Sequence, residues 1–241
     1  MDPESVTLTA PRPIRRAVTT QWWRDLAFLH WPAPPEVVAP LLPAGTRPDT
    51  LDGATYVGLI AFRMDRVGLG VGVPYFGRFA ETNVRLYSVD EDGRRGVVFR
   101  SLDAARLLPV IIGRVALGLN YVWSRMRVEH RADGSYAYRS VRRWPGAGPS
   151  AAFTVRPGGR APADPLNDFL TARWGLHTTV RGRTIYLPNE HPQWSLRSAT
   201  LLDLEENLVT AAGLPAPEGP PESVLFSEGV PVRFGAPLKR K

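Results

Sequence analysis

The sequence predicts an α+β protein that is mainly antiparallel β, barrel-like, with a few short helices. Three observations carry this prediction. Runs rich in β-branched and aromatic residues recur along the whole chain. Two pairs of such runs flank turns that end in Asp92-Gly93 and Asp133-Gly134, a mark of tight hairpins. Helix patterns are few and brief, so they cross the strands rather than alternate with them.

In order along the chain, residues 1–18 read as a loose leader and 19–234 as one domain. Asp25–Trp31 is an apolar strand that ends before Pro32. Pro35–Leu42 reads as a short helix, with proline at its start, Glu36 in its first turn and Pro43 closing it. Thr55–Met64 is a strand, and Gly68-Leu69-Gly70-Val71-Gly72 is a flexible turn or lid. Val84–Val89 and Gly96–Ser101 form the first hairpin. Pro109–Leu117 is an apolar helix with Gly118 as its C-cap. Trp123–His130 and Tyr136–Val141 form the second hairpin. Asp164-Pro165 opens a helix that Gly175 closes, and Thr178–Arg181 and Thr184–Leu187 are strands around Gly182. Asp203–Ala212, before Gly213, reads as the last helix, Val224–Phe234 as late strands, and 235–241 as a basic tail.

Hydrophobic residues make up 44% of the 241, enough for a sizeable core. The absence of cysteine excludes disulfides, thiolate metal sites and a cysteine nucleophile, and fits a reducing compartment. The N-terminal MDPESVTLTAPRPIRR has no apolar core of a signal peptide. Leu107–Leu119, the most apolar stretch, is too short to span a bilayer and holds Arg114. A cytoplasmic protein with no membrane partner is therefore expected. The net charge of +7 comes from scattered arginines, which fit a solvated surface better than a specific nucleic-acid site. Of the 30 basic residues only Lys239 and Lys241 are lysine. Arginine does not deprotonate, so the body of the chain holds no amine able to form an imine with a carbonyl.

Nucleophile-elbow, Walker and HExxH signatures are missing. His30, His130, His177 and His191 lie far apart, so neither a metal nor a cofactor is expected. Period-two alternation puts Phe79, Glu81, Asn83 and Arg85 on one strand face. Read from these residues alone, that face is a solvated surface with Glu81 and Arg85 as an ion pair.

A resemblance changes the balance. Arg24 to Pro43, RDLAFLHWPAPPEVVAPLLP, resembles the acetoacetate decarboxylase segment in which an arginine-acid pair opens a strand, a helix follows and a proline closes it. Phe79-Ala80-Glu81 resembles that superfamily's aromatic-x-Glu on a cavity-lining strand. Gly113-Arg114 opens a segment similar to its Gly-Arg-Glu, which ends in Pro-Lys-Lys; here the tripeptide is Asn120-Tyr121-Val122. The Schiff-base lysine thus maps onto Tyr121, and its lysine neighbour onto Val122. The whole chain from about 20 to 234 also resembles the uncharacterised DUF2071, or YqjF-like, family. The carriers are FLHWP at 28–32, Phe62-Arg63-Met64, Glu81-x-Asn83-Val84-Arg85, Ser101-Leu102-Asp103-Ala104, the Tyr121 region and Glu190-His191-Pro192-x-Trp194-x-Leu196-Arg197. Asn120 stands where that family has proline.

The resemblance implies a closed barrel or cone around a central cavity. It places Glu81, Tyr121 and Arg24 as catalytic residues, and His30, Arg63, Asn83, Arg85, His191 and Trp194 as substrate-binding ones. Arg24 would hold a carboxylate, Tyr121 a carbonyl oxygen, and Glu81 would move a proton. The implied function is a small-molecule enzyme acting on a keto acid, enol or other carbonyl compound without an imine. Isomerase, lyase, dehydratase and cyclase chemistry all fit, in secondary metabolism. Two other readings stand beside it: a non-catalytic binding protein using the same cavity, and a structural role with a filled interior. A homo-oligomer is an open possibility.

Overall fold

The computed structural model describes residues 1–68 and 77–238. Twelve strands among these residues belong to one sheet. In chain order they are β1 (Thr19–Ala33), β2 (Thr46–Pro48), β3 (Thr55–Gly68), β4 (Phe79–Asp90), β5 (Arg95–Ala104), β6 (Tyr121–His130), β7 (Tyr136–Trp144), β8 (Ser150–Arg160), β9 (Gly175–Val180), β10 (Arg183–Glu190), β11 (Arg197–Glu206) and β12 (Ser223–Phe234). The helices are α1 (Pro35–Val38, extended by a 3-10 turn at Ala39–Leu41), α2 (Leu107–Leu117), α3 (Pro165–Thr171) and α4 (Leu208–Ala211).

The sheet closes twice. Pairing runs β4-β5-β6-β7-β8-β11-β12-β1-β3 and returns to β4. It also runs β12-β10-β9-β5, so a second, narrower ring shares the wall β12-β1-β3-β4-β5 with the first. All pairs are antiparallel except β5 with β6 and β5 with β9. The crossover from β5 to β6 is made by α2, as parallel neighbours require.

The shared wall explains the sequence of its strands. Both faces of β1, β3 and β4 are buried, so their apolar residues run nearly continuously instead of alternating. One face fills the wider ring with Leu29, Leu59, Val84, Leu86, Phe153 and Phe226. The other face looks into the narrower ring, the cone, with Phe28, Ile60, Phe62 and Phe79. On β5 a register shift near Arg100 keeps Leu102 and Ala104 on the cone side and Ser101 and Asp103 on the other.

Both expected hairpins form, with Gly93 and Gly134 left-handed at φ 80° and 79°. Helix α3 starts as expected, the Asp164 side chain accepting from the Leu166 N–H at 2.9 Å with Pro165 in the first turn. It ends at Thr171; Gly175 opens β9 instead. Three expectations are corrected. Helix α2 begins two residues before Pro109. Asp203–Glu206 is the end of β11, and only Leu208–Ala211 is helical, because β8 supplies a partner edge that overrides local helix propensity. The leader is not loose: the Glu4 N–H donates to the Gly93 carbonyl at 2.9 Å, the Trp174 indole N–H to the Thr7 carbonyl at 2.9 Å, and Ile14 is buried. Residues 69–72 of the expected lid and 239–241 of the tail lie outside the described residues.

Candidate active site

Strand register assembles the cone's lining in rows. Phe28, Ile60, Asn83, Leu102 and Tyr121 are successive cross-strand partners from β1 to β6. The next row holds Phe62, Glu81, Ala104 and Trp123. Glu81 and Tyr121 therefore sit on diagonal positions, within reach of each other although 40 residues apart in sequence. On the far side of Asn83 the row is His30, Gly58 and Arg85. Gly58 leaves room for the His30 ring, which a Cβ would approach to a tight 3.0 Å.

Within this lining the Tyr121 hydroxyl donates to Glu81 Oε2 at 3.1 Å. Glu81 is 2% exposed. Burial pushes its pKa up to about 8; bonds from Tyr121 and Asn83 oppose the rise, and the charge of Asp103 behind the wall adds to it. The same burial, with Glu81 beside it, holds the Tyr121 phenol well above its ordinary value. One group can gain or lose a proton near neutrality, and the other stays a neutral donor. Asn83 Oδ1 and the Trp23 indole N–H are buried without a hydrogen-bond partner among the described residues.

Arg85 reaches into the cone over the Phe28 ring, 5.7 Å from its centre. Its Nε donates to the Tyr87 hydroxyl at 3.1 Å and its Nη2 to the Leu170 carbonyl at 2.8 Å. Among the described residues no carboxylate forms a salt bridge with it. The Tyr87 hydroxyl also donates to the Leu170 carbonyl at 3.0 Å, so His30 Nε2, 2.7 Å away, is the donor to Tyr87. Burial and the charges of Arg85 and Arg173 hold His30 neutral, well below its usual pKa. His191 is lowered to about 4, chiefly by burial and also by Arg85, and its Nδ1–H donates to the Pro192 carbonyl at 2.8 Å. Around it Trp23, Trp174 and Trp194 form an aromatic wall, and the Trp194 indole donates to the Thr171 carbonyl at 3.0 Å.

The structure thus brings together Glu81, Tyr121, Asn83, Arg85, His30, His191 and Trp194. It does not bring Arg24 or Arg63 to them. Asp25 adopts a left-handed conformation (φ 52°) at a bulge in β1, which turns Trp23 and Leu26 into the cone and Arg24 away. Arg24 is 3.5 Å from Asp65, and Arg63 pairs with Asp25, its Nε at 2.6 Å. Both line a separate cleft of about 540 Å³ with Asp65, Arg78, Ala80 and Met126. The expected convergence of Arg24 with Glu81 and Tyr121 is corrected accordingly. Sequence reasoning also missed Trp23, Tyr87 and Trp174. Tyr87 was open to discovery, since it continues the alternation of Glu81, Asn83 and Arg85.

The twelve-stranded, mainly antiparallel fold with its few short helices defines the class: it is that of acetoacetate decarboxylase-like proteins. The acetoacetate decarboxylase of Legionella pneumophila subsp. pneumophila str. Philadelphia 1 has a TM-score of 0.63 at 13% identity, covering 95% of this chain and 92% of that one. An acetoacetate decarboxylase-like enzyme from Sphingomonas wittichii RW1 gives 0.61 at 14% identity, with 96% of each chain covered. The enduracididine biosynthesis enzyme MppR complexed with pyruvate gives 0.63 at 14%, covering 95% and 92%. At such identities the likeness is one of fold. The chain belongs to the DUF2071 family, described as an uncharacterized conserved protein, whose model matches residues 20–231. Its relative YqjF of Bacillus subtilis (strain 168), an uncharacterized protein, is 30% identical over 222 residues, 85% of each chain.

Proposed function

We propose that the cone is an acid/base site acting on a small carboxylate-bearing carbonyl or enol compound without an imine. The observation that carries this is the Tyr121–Glu81 hydrogen bond of 3.1 Å in a buried setting. A Glu81 pKa of about 8 leaves roughly a tenth of it ionised at pH 7. That carboxylate takes a proton from the carbon next to the carbonyl. The C–H electron pair becomes a carbon–carbon double bond and the carbonyl π pair moves to its oxygen, to which the neutral Tyr121 hydroxyl turns its hydrogen bond as Glu81 takes up the proton. Arg85, without a carboxylate partner among the described residues, holds the anionic group of the ligand. His30, Asn83, His191 and Trp194 are the further side chains that would contact it. The enolate is the shared intermediate of isomerisation, dehydration and cyclisation, and the product of carbon–carbon cleavage. One structural neighbour is a biosynthesis enzyme complexed with pyruvate, which supports a small keto acid and a setting in secondary metabolism.

The test needs no known substrate. Pyruvate and related keto acids are incubated with the protein in deuterium oxide, and exchange at the carbon beside the carbonyl is followed by NMR. Exchange above the buffer rate, lost in Glu81→Gln, is expected. Saturable binding with no exchange for any keto acid would leave a binding protein in its place.

A further inference from the structure

Apart from Arg114, helix α2 carries no charged or polar side chain, and only one side of it is used. Val110 is fully buried, Gly113 packs on Tyr121, and partly buried Leu117 packs against the cone's core. The opposite stripe, Leu107, Leu108, Ile111, Ile112 and Val115, is exposed, Val115 by 82% and Ile112 by 54%. Positions i, i+1, i+4, i+5 and i+8 form one continuous helix face. Trp144, 53% exposed at the end of β7, continues the patch, with the Arg114 guanidinium 5.9 Å above its ring.

The segments that carry this patch bear charge of one sign. No aspartate or glutamate occurs between Asp103 and Glu129, or between Asp133 and Asp164. Arg114 belongs to the helix itself, and Arg143, which lies over the Trp123 ring at 5.1 Å, directly precedes Trp144. A two-fold pairing of this face with a second copy would set these arginines against their own images with no acid to offset them. An acid-free, arginine-bearing apolar helix with an exposed tryptophan instead matches an anionic bilayer surface. We propose that α2 and Trp144 dock this protein on anionic lipid. Eleven residues rise about 16 Å, too little to cross a bilayer, so the helix lies in the interface plane. The expectation of no membrane partner rested on the absence of a spanning segment, and in-plane docking needs none. Among the described residues no helix is long and apolar enough to cross a membrane.

The full chain is sedimented with vesicles of phosphatidylcholine alone and with vesicles rich in phosphatidylglycerol. Binding to the second and not the first is expected, weakening as salt is added. The double variant Ile112→Glu/Val115→Glu should bind at least about tenfold more weakly, and Arg143→Gln about fivefold. These side chains are exposed, and near-UV circular dichroism checks that each variant folds. Wild-type failure to bind phosphatidylglycerol vesicles overturns the proposal, as does full binding by a folded double variant. So does a stable wild-type dimer in light scattering that the double variant turns into a monomer, since the face would then belong to a second copy.

Discussion

Gly113 in α2 lies against the face of Tyr121 so closely that a Cβ would overlap the ring's Cδ2 and Cε2 atoms. The helix thus holds the phenol in place from behind, while Arg114 of the same helix donates to the Tyr121 carbonyl at 2.6 Å. Gly113→Ala should move the ring off Glu81. The gain in helix propensity, about 1 kcal/mol, is outweighed by overpacking of about 1–3 kcal/mol. A lower thermal midpoint together with a loss of keto-acid exchange is expected; an unchanged exchange rate would show that Tyr121 is not positioned by the helix.

Removing the Tyr121 hydroxyl is the sharper change. Tyr121→Phe keeps the ring and its packing and deletes one donor, so turnover should drop by about 10²-fold or more with the midpoint nearly unchanged. Glu81→Gln should act likewise on turnover. If either folded variant exchanges deuterium at the wild-type rate, the acid/base assignment is wrong.

The pH dependence of stability has a definite sign. Glu81 has a pKa of about 8 in the fold against an ordinary value of 4.5. Below pH 4.5 both states are protonated; between these values the unfolded chain loses its proton first, so stability falls as pH rises. The wild type should lose on the order of 4 kcal/mol across this window relative to Glu81→Gln. Melting curves from pH 5 to 9 measure the difference, and a flat one would refute the buried, protonated carboxyl.

His191 acts in the opposite direction. Its pKa of about 4 lies below the ordinary 6.5, so stability is present above 6.5 and is lost as pH falls toward 4. His191→Gln should weaken the acid sensitivity between these values. Chemical denaturation at pH 4.5 and 7 compares the two proteins, and equal acid losses would count against a buried neutral imidazole.

The two arginines separate by position. Arg85→Gln should weaken binding of a carboxylate ligand by about tenfold to a hundredfold, as loss of a charged hydrogen bond implies. Arg24→Ala, in the outer cleft, should leave it within twofold. Calorimetric titration with whichever keto acid exchanges decides this, and the reverse pattern would return the anchor to Arg24.

Much of the fold was legible because hairpin chemistry is local. Asp92-Gly93 and Asp133-Gly134 set their turns through backbone preference alone, and the Asp164-Pro165 cap did the same for α3. The expected cone came from resemblance, as did the pairing of Glu81 with Tyr121, which depends on a register three strands wide. The position of Arg24 was not legible. Asp25 tolerates a left-handed backbone, but nothing in the sequence says that the chain uses it, and one bulge reverses which neighbour faces inward. The strand at Asp203–Glu206 was hidden for a related reason: its leucines and acids suit a helix until β8 offers an edge.

The wall shared by the two rings makes alignment errors doubly costly. Along β4, Glu81 and Asn83 belong to one interior while Thr82 and Val84 belong to the other. A slip of one residue would drive a carboxylate and an amide into the hydrocarbon side and leave valine facing Tyr121. An ordinary half-exposed strand that slips merely wets its apolar side chains; here both faces meet other buried side chains. Insertions and deletions in β3, β4 and β5 should therefore be far less tolerated than in β7 or β8, whose outer faces meet water.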